Sequence, residues 1–222
     1  MLGGAQAMPT CTYSMLAPGS IPYTSTVPIV SPPLAGAGAV LGTLTGAPGY
    51  SLLSQSGVSS SFTFCVELFQ ALSTSAKTYS VVDPAVAAAY TTLGANGWGP
   101  TAVTISGKID SLMAAVLPSV NSAASAAALQ LAIWEVIYDV GPVYNVLAGT
   151  GFAVTLLPAD AAVGTQANLF LLGIGTAATR HYSVLTNPDF QDVLIQVPEP
   201  MSASLVLLGL LGAAAARRRK PT

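Results

Sequence analysis

An uncharged apolar run near the C-terminus separates this chain into parts that cannot share one fold. Residues 201–216 contain no charged side chain, and they lie between Pro198-Glu199-Pro200 and the basic residues 217–220. As an α-helix the run is about 24 Å long, slightly short of a hydrocarbon core of roughly 30 Å. The two prolines do not fit inside a continuing helix or strand, so an extended, accessible tripeptide is expected. The positive-inside bias keeps the basic end in the cytoplasm and predicts that the preceding residues are exported.

The order of these parts resembles the PEP-CTERM sorting signal of exopolysaccharide-producing Gram-negative bacteria. The resemblance covers residues 197–222, and the side chains that carry it are Pro198, Glu199, Pro200, Arg217, Arg218 and Arg219. It implies transient anchoring in the inner membrane, recognition by an exosortase, and transfer to the cell surface or extracellular matrix. An ordinary C-terminal anchor that is never processed is the other interpretation.

The remainder of the chain is long enough for one ectodomain, residues 8–196. Residues 1–7 end in Ala-Gln-Ala, which fits a signal-peptidase cleavage pattern, so we interpret them as the remnant of a signal peptide; a chance match in an alanine-rich chain is the alternative.

Charged residues make up only 7% of the chain. A neutral surface suits a protein among polysaccharides. Before residue 217 the basic side chains are Lys77, Lys108 and Arg180, too few for binding nucleic acid.

Residue patterning predicts an α+β fold, with a β-rich sandwich or barrel-like ectodomain, an inserted helical block and a single C-terminal hydrophobic helix at 201–216. Proline and glycine separate short apolar runs before residue 69, which is typical of strands and turns. The predicted strands are 39–44, 50–53, 61–69, 151–157, 181–185 and 192–197. The predicted helices are 83–93, 110–117, 122–139 and 160–172, from their capping residues and their proline or glycine stops.

Two segments carry the residues best suited to chemistry. Cys65 lies in the predicted strand 61–69, and Gln130 lies in the most strongly patterned helix. Gln130 shares a stripe with Trp134 and Ile137, so its side chain is expected to face the core. Burying the amide unpaired costs about 1 to 3 kcal/mol, which means that it must be hydrogen-bonded or chemically transformed.

These segments resemble the thioester domains of bacterial surface adhesins, in which a strand cysteine and a helix glutamine condense with loss of ammonia. The resemblance implies that Cys65 supplies the sulfur and Gln130 the acyl group, and that the bond reacts with amines on surface or matrix components without a cofactor. The chain departs from the family in having Leu129 before the glutamine and Glu67 after the cysteine. The residues expected to pack around the bond are Phe64, Ala132, Ile133, Trp134 and Ile137.

The same residues admit two other interpretations. Exported proteins experience oxidising conditions, so Cys65 is a candidate for a disulfide with Cys11, the other cysteine of the chain. Alternatively, Cys65 is a buried free thiol and Gln130 binds a backbone carbonyl. Either interpretation makes the protein a purely structural matrix component. A second glutamine, Gln166, lacks the aliphatic residue and tryptophan that follow Gln130.

Enzymatic function is not expected. The lone His181 has no partner that would activate Cys65 as a nucleophile, and no glycine motif suited to an oxyanion hole follows Cys65. Glu135 and Asp139 are four residues apart, and their neighbours indicate a solvated helix edge rather than a glycosidase pair. The acidic residues are scattered along the sequence, so no metal site is predicted.

Overall fold

A computed structural model describes residues 10–15, 27–29, 35–47, 49–54, 61–68, 70, 72–73, 75–82, 102–139, 143–149, 152–175 and 182–197. These residues form antiparallel strands and α-helices, which confirms the predicted α+β class. The predicted helix at 83–93, the hydrophobic helix at 201–216, the sorting tripeptide, the basic end and residues 1–7 lie outside the described residues. None of the described helices has the length and apolar character needed to cross a bilayer.

The secondary-structure elements are numbered along the described part of the chain. The strands are β1 Thr10–Met15, β2 Val27–Ile29, β3 Ala35–Ala37, β4 Val40–Thr45, β5 Phe62–Thr63, β6 Lys77–Val82, β7 Tyr182–Thr186 and β8 Val193–Gln196. The helices are α1 Ala102–Val116, α2 Ala123–Tyr138 and α3 Ala161–Leu171. All three helices lie between β6 and β7 in the chain, and short 3₁₀ turns occupy Leu117–Ser119 and Pro158–Asp160.

The main sheet has the strand order β5-β4-β1-β6-β7-β8, and every neighbouring pair is antiparallel. Its two edges are joined by the residues that follow β5. The Val66 N–H donates to the Asp192 carbonyl at 2.8 Å, and the Leu194 N–H donates to the Phe64 carbonyl at 3.0 Å. The sheet therefore closes on itself at residues 64–66. β2 and β3 form a separate two-stranded sheet.

Helix α2 is buried along nearly its whole length. It begins with a capping box in which Ser122 and Ser125 each accept a hydrogen bond from the other's backbone N–H, and Asp139 is its C-terminal cap. Every residue from Ser125 to Ile137 is buried, and the helix packs mainly against α3 and also against α1. The prediction of a helix at 122–139 is confirmed, and so is that of a helix at 160–172.

The structure corrects three sequence-based assignments. Helix α1 starts at Ala102, so Asp110 is buried within the helix rather than capping it; buried apolar residues such as Ile105 and Ile109 extend the helical face upstream. In the predicted strand 61–69, regular pairing covers only Phe62–Thr63 and a bridge at Cys65. No strand forms over residues 152–157, and the sequence reasoning missed β6.

Candidate functional site

Cys65 and Gln130, 65 residues apart in sequence, are joined by two hydrogen bonds. The Cys65 backbone N–H donates to Gln130 Oε1 at 2.8 Å, and Gln130 Nε2 donates to the Cys65 carbonyl at 2.8 Å. Gln130 is fully buried and Cys65 is 5% exposed. The structure thus brings together the two residues singled out in the sequence, while the thioester between them stays a prediction.

The course of the chain after β5 explains why Cys65 needs this partner. Phe64 and Val66 use their backbone groups to pair with β8. The backbone of Cys65 faces the other way, as alternate residues of a strand do, and meets helix α2. The carboxamide of Gln130 uses its oxygen as an acceptor and its NH₂ group as a donor, so it pairs with the Cys65 backbone as a neighbouring strand would. Two buried backbone groups are thereby satisfied.

A second hydrogen bond fixes the same segment to α2 further along. The Leu68 N–H donates to the Tyr138 hydroxyl oxygen at 3.1 Å. Gln130, Trp134 and Tyr138 are spaced four residues apart, so they lie on one face of the helix. This face of α2 therefore runs along residues 65–68 and contacts them at both ends. Sequence reasoning missed Tyr138, although the spacing from Gln130 was a usable signal.

The residues predicted to pack around Cys65 and Gln130 are all buried. Phe64 is fully buried and stacks edge-on against Phe62 with ring centres 6.0 Å apart, and Trp134 lies 6.4 Å from the Phe152 ring. Burial alone does not distinguish the predicted set, because the neighbouring residues of α2 are equally buried. It does give the Cys65–Gln130 pair apolar surroundings that exclude bulk water. The predicted residues on α2 are Ala132, Ile133, Trp134 and Ile137.

Burial also determines the protonation state of the cysteine. It raises the pKa of the Cys65 thiol to about 12. The thiol is therefore neutral near pH 7, and a neutral thiol is a poor nucleophile in free solution. A reaction with Gln130 would depend on the enforced proximity of the two groups rather than on a preformed thiolate.

An acidic cluster lies beside this segment. Burial, and to a smaller degree the nearby Glu67 carboxylate, raises the pKa of Asp192 to about 7. The Asn187 N–H, which donates to Asp192 Oδ1 at 3.0 Å, opposes this shift. Burial likewise raises the pKa of Glu67 and moves the pKa of Tyr138 above its usual range, with both carboxylates contributing to the latter. The Tyr138 phenol is therefore neutral and faces two acids that titrate above their usual range.

The prediction that Glu135 and Asp139 form a solvated helix edge is wrong. Glu135 is fully buried and Asp139 is 2% exposed, because the chain after residue 143 packs over this end of α2. Glu135 Oε1 accepts the Asn145 backbone N–H at 2.5 Å. Burial, and to a smaller degree Asp139, raises the pKa of Glu135 to about 8. Glu135 therefore anchors the segment around Asn145 to the helix.

The structure also contradicts the Cys11–Cys65 disulfide. Cys65 is a free thiol. Along β4, the partner of Thr12 is Thr45 and the partner of Thr63 is Val40, which are about 16 Å apart on the strand. Cys11 and Cys65 lie beyond these two positions in opposite directions. A disulfide needs Cα atoms within about 7 Å, so the two cysteines cannot pair in this fold.

Other candidate residues lie elsewhere or beyond the described ranges. Gln166 is on α3 and half-buried, and His181 lies outside the described residues. In the part of the chain that the structure describes, no group of three His, Cys, Asp or Glu side chains could hold a metal ion.

No protein family, curated protein or solved structure matches this chain.

Proposed function

We propose that this chain is an exported cell-surface or biofilm-matrix protein that attaches covalently to amines through an internal thioester between Cys65 and Gln130. The observation that carries the proposal is the pairing of the Gln130 carboxamide with the backbone of Cys65. It holds the acyl carbon beside the residue that bears the thiol. In this proposal the ectodomain, residues 8–196, is a barrel-like sheet with a helical block inserted between β6 and β7, followed by a hydrophobic helix at 201–216.

The chemistry balances without a cofactor or an oxidant. The Cys65 sulfur attacks the Gln130 carboxamide carbon, the C–N bond breaks, and the thiol proton leaves with the nitrogen as ammonia. A primary amine then attacks the same carbon, the C–S bond breaks, and an amide forms while Cys65 regains a proton. Enforced proximity replaces high concentration in the first step.

The apolar surroundings support the lifetime of such a bond. Both residues are shielded from solvent, and the neighbouring side chains Phe64 and Trp134 are almost completely buried. Water therefore has little access to the acyl carbon, which slows hydrolysis. The proposed acceptors are amines on surface or matrix components, lysine side chains included, in an envelope that also contains exopolysaccharide.

Intact mass spectrometry of the purified full chain tests the proposal. We expect a mass about 17 Da below the sequence value, because one ammonia is lost, and we expect methylamine to add to this species. Cys65→Ala should abolish both the mass loss and the methylamine addition. The Cys11→Ser and Gln166→Glu variants are matched controls that should retain them, since the strand register places Cys11 far from Cys65 and Gln166 forms no hydrogen bond to the pair.

A full-mass wild-type protein that takes up no methylamine would contradict the thioester. That result would favour the purely structural alternative, in which Cys65 is a free thiol and Gln130 acts only as a hydrogen-bonding partner. The observation that favours this second candidate is that both polar groups of the Gln130 carboxamide are hydrogen-bonded to the Cys65 backbone, which satisfies them without a reaction. Loss of about two hydrogens would instead indicate a disulfide, contrary to the strand register.

The sorting part of the proposal rests on the sequence of residues 197–222. We propose that an exosortase recognises Pro198-Glu199-Pro200 while the apolar run 201–216 is held in the inner membrane and the basic end stays in the cytoplasm. The ectodomain is then delivered to the cell surface or extracellular matrix of a Gram-negative bacterium.

Cell fractionation tests the sorting. In an exosortase-positive Gram-negative host, we expect the chain outside the cell in a shortened form, and in an exosortase-deficient strain we expect the full-length chain to accumulate in the inner membrane. Replacing Pro198 and Pro200 by alanine in the exosortase-positive host should reproduce the deficient pattern. Full-length chain in the membrane of both strains would indicate an ordinary anchor, and equal shortening in both strains would indicate an unrelated protease.

A further inference from the structure

We infer that Tyr138 is a positioning residue that holds residues 65–68 against helix α2 and thereby restricts access of amines and water to the Cys65–Gln130 bond. This inference rests on the proposed function. It starts from the fact that two side chains on one face of α2 form hydrogen bonds to the same short segment. Gln130 bonds to Cys65, and Tyr138 bonds to Leu68.

The proposed reaction changes the balance between these two contacts. The Gln130 nitrogen that donates to the Cys65 carbonyl is the atom that leaves as ammonia. Once it has gone, that hydrogen bond is lost, and the Cys65 carbonyl loses its donor on α2. The Leu68–Tyr138 hydrogen bond involves no reacting atom, so it persists. After ammonia release the Cys65 N–H still has Gln130 Oε1 as an acceptor, and the Leu68–Tyr138 hydrogen bond holds the other end of residues 65–68 against this helix face.

The closed geometry makes this contact relevant to reactivity. Cys65 is 5% exposed and Gln130 is fully buried, so an acceptor amine cannot reach the acyl carbon in the described conformation. Because the thioester itself joins Cys65 to α2, residues 66–68 must first move away from the helix around that bond. Reaction through such an opening is proportional to the population of the open form, which hydrogen bonds that close the segment reduce.

The Tyr138 phenol is suited to a hydrogen bond that does not change with pH. Its oxygen accepts the Leu68 N–H, and burial together with the Glu67 and Asp192 carboxylates moves the Tyr138 pKa above its usual range. The hydroxyl therefore keeps its proton over the pH range in which an exported protein works. The contact is not switched by ionisation of the phenol itself.

Tyr138→Phe in the full chain tests the inference, with Tyr182→Phe as a matched control. Tyr182 is a buried tyrosine on β7 that does not bond to residues 65–68. We expect Tyr138→Phe to take up methylamine about five to ten times faster than the wild type, as loss of one hydrogen bond from the closed state implies. Hydrogen exchange of the backbone amides of residues 65–68 should accelerate by a similar factor. The control should change neither rate.

The outcomes separate this inference from the proposed function. Wild-type rates of amine uptake and exchange in Tyr138→Phe would overturn the role of Tyr138 and leave the thioester standing. A wild-type protein that never loses ammonia would contradict the proposed function. The role of Tyr138 is then tested by hydrogen exchange of residues 65–68 alone. Faster exchange in Tyr138→Phe supports that role, and equal exchange overturns it. Thermal unfolding of both variants controls for a general loss of stability, which would accelerate exchange throughout the domain rather than at these residues.

Discussion

Replacing Gln130 by leucine is expected to lower the free energy of unfolding by about 2 to 5 kcal/mol. Leucine fills a similar volume but offers no donor or acceptor, so the backbone N–H and carbonyl of Cys65 lose their partner while remaining buried. Each unsatisfied buried group costs about 1 to 3 kcal/mol. Chemical denaturation in a Cys65→Ala background measures the effect of the hydrogen bonds alone, because no thioester can form there.

Gln166→Leu in the same background is the matched control. Gln166 lies on α3 and is half-buried, and it forms no hydrogen bond to residues 65–68, so we expect a change of less than about 1 kcal/mol. If Gln130→Leu unfolds at the same denaturant concentration as its background, the carboxamide does not hold the Cys65 backbone. The geometric basis of the proposed function would then be lost.

Alanine at Gly149 is expected to destabilise the domain by about 3 kcal/mol or more. A Cβ at this position would overlap the carbonyl oxygen of Phe152 and lie 2.9 Å from Asp139 Oδ2. The overlapped atom belongs to the backbone, so relief requires a shift of the chain rather than a rotamer change. The movement would also disturb the buried carboxyl pair formed by Glu135 and Asp139.

Gly107→Ala is the control for this substitution, and the opposite sign is expected. Gly107 lies within α1, and a Cβ there meets no atom within 4 Å. Alanine should therefore stabilise the helix by about 0.5 to 1 kcal/mol through its higher helix propensity. Denaturation of the two variants side by side checks the close approach at Gly149; equal behaviour of both would contradict it.

The sequence was most informative where one local pattern determines one local structure. Ser122 marks the start of α2 because a side chain that accepts from its own first turn satisfies groups the helix itself cannot. The period of α2 places Gln130 towards the core, and the polarity of its amide in that position called for a partner. These facts singled out Gln130, and the resemblance of the two segments to thioester domains connected it with Cys65 as a hypothesis.

Other features depend on residues that are distant in the chain. Glu135 and Asp139 were predicted to be solvated because the sequence shows only their spacing on the helix. It does not show that the segment around Asn145 packs over them. The role of Tyr138 depends on the fold, which places the Leu68 N–H beside its hydroxyl group. The strand β6 was missed because a half-buried pattern such as Lys77–Val82 is recognisable only with its neighbours on both sides.

The sequence by itself determined the α+β class, the limits of α2 and α3, and the choice of Cys65 and Gln130 as the residues to examine. The periodicity of apolar residues and the capping chemistry are local, so they can be recognised without the fold. Only the tertiary structure decided that Gln130 pairs with the backbone of Cys65, that Cys11 lies too far away for a disulfide, and that Tyr138 holds the same segment. These contacts depend on strand register and on how α2 lies along residues 65–68, and long-range packing sets both.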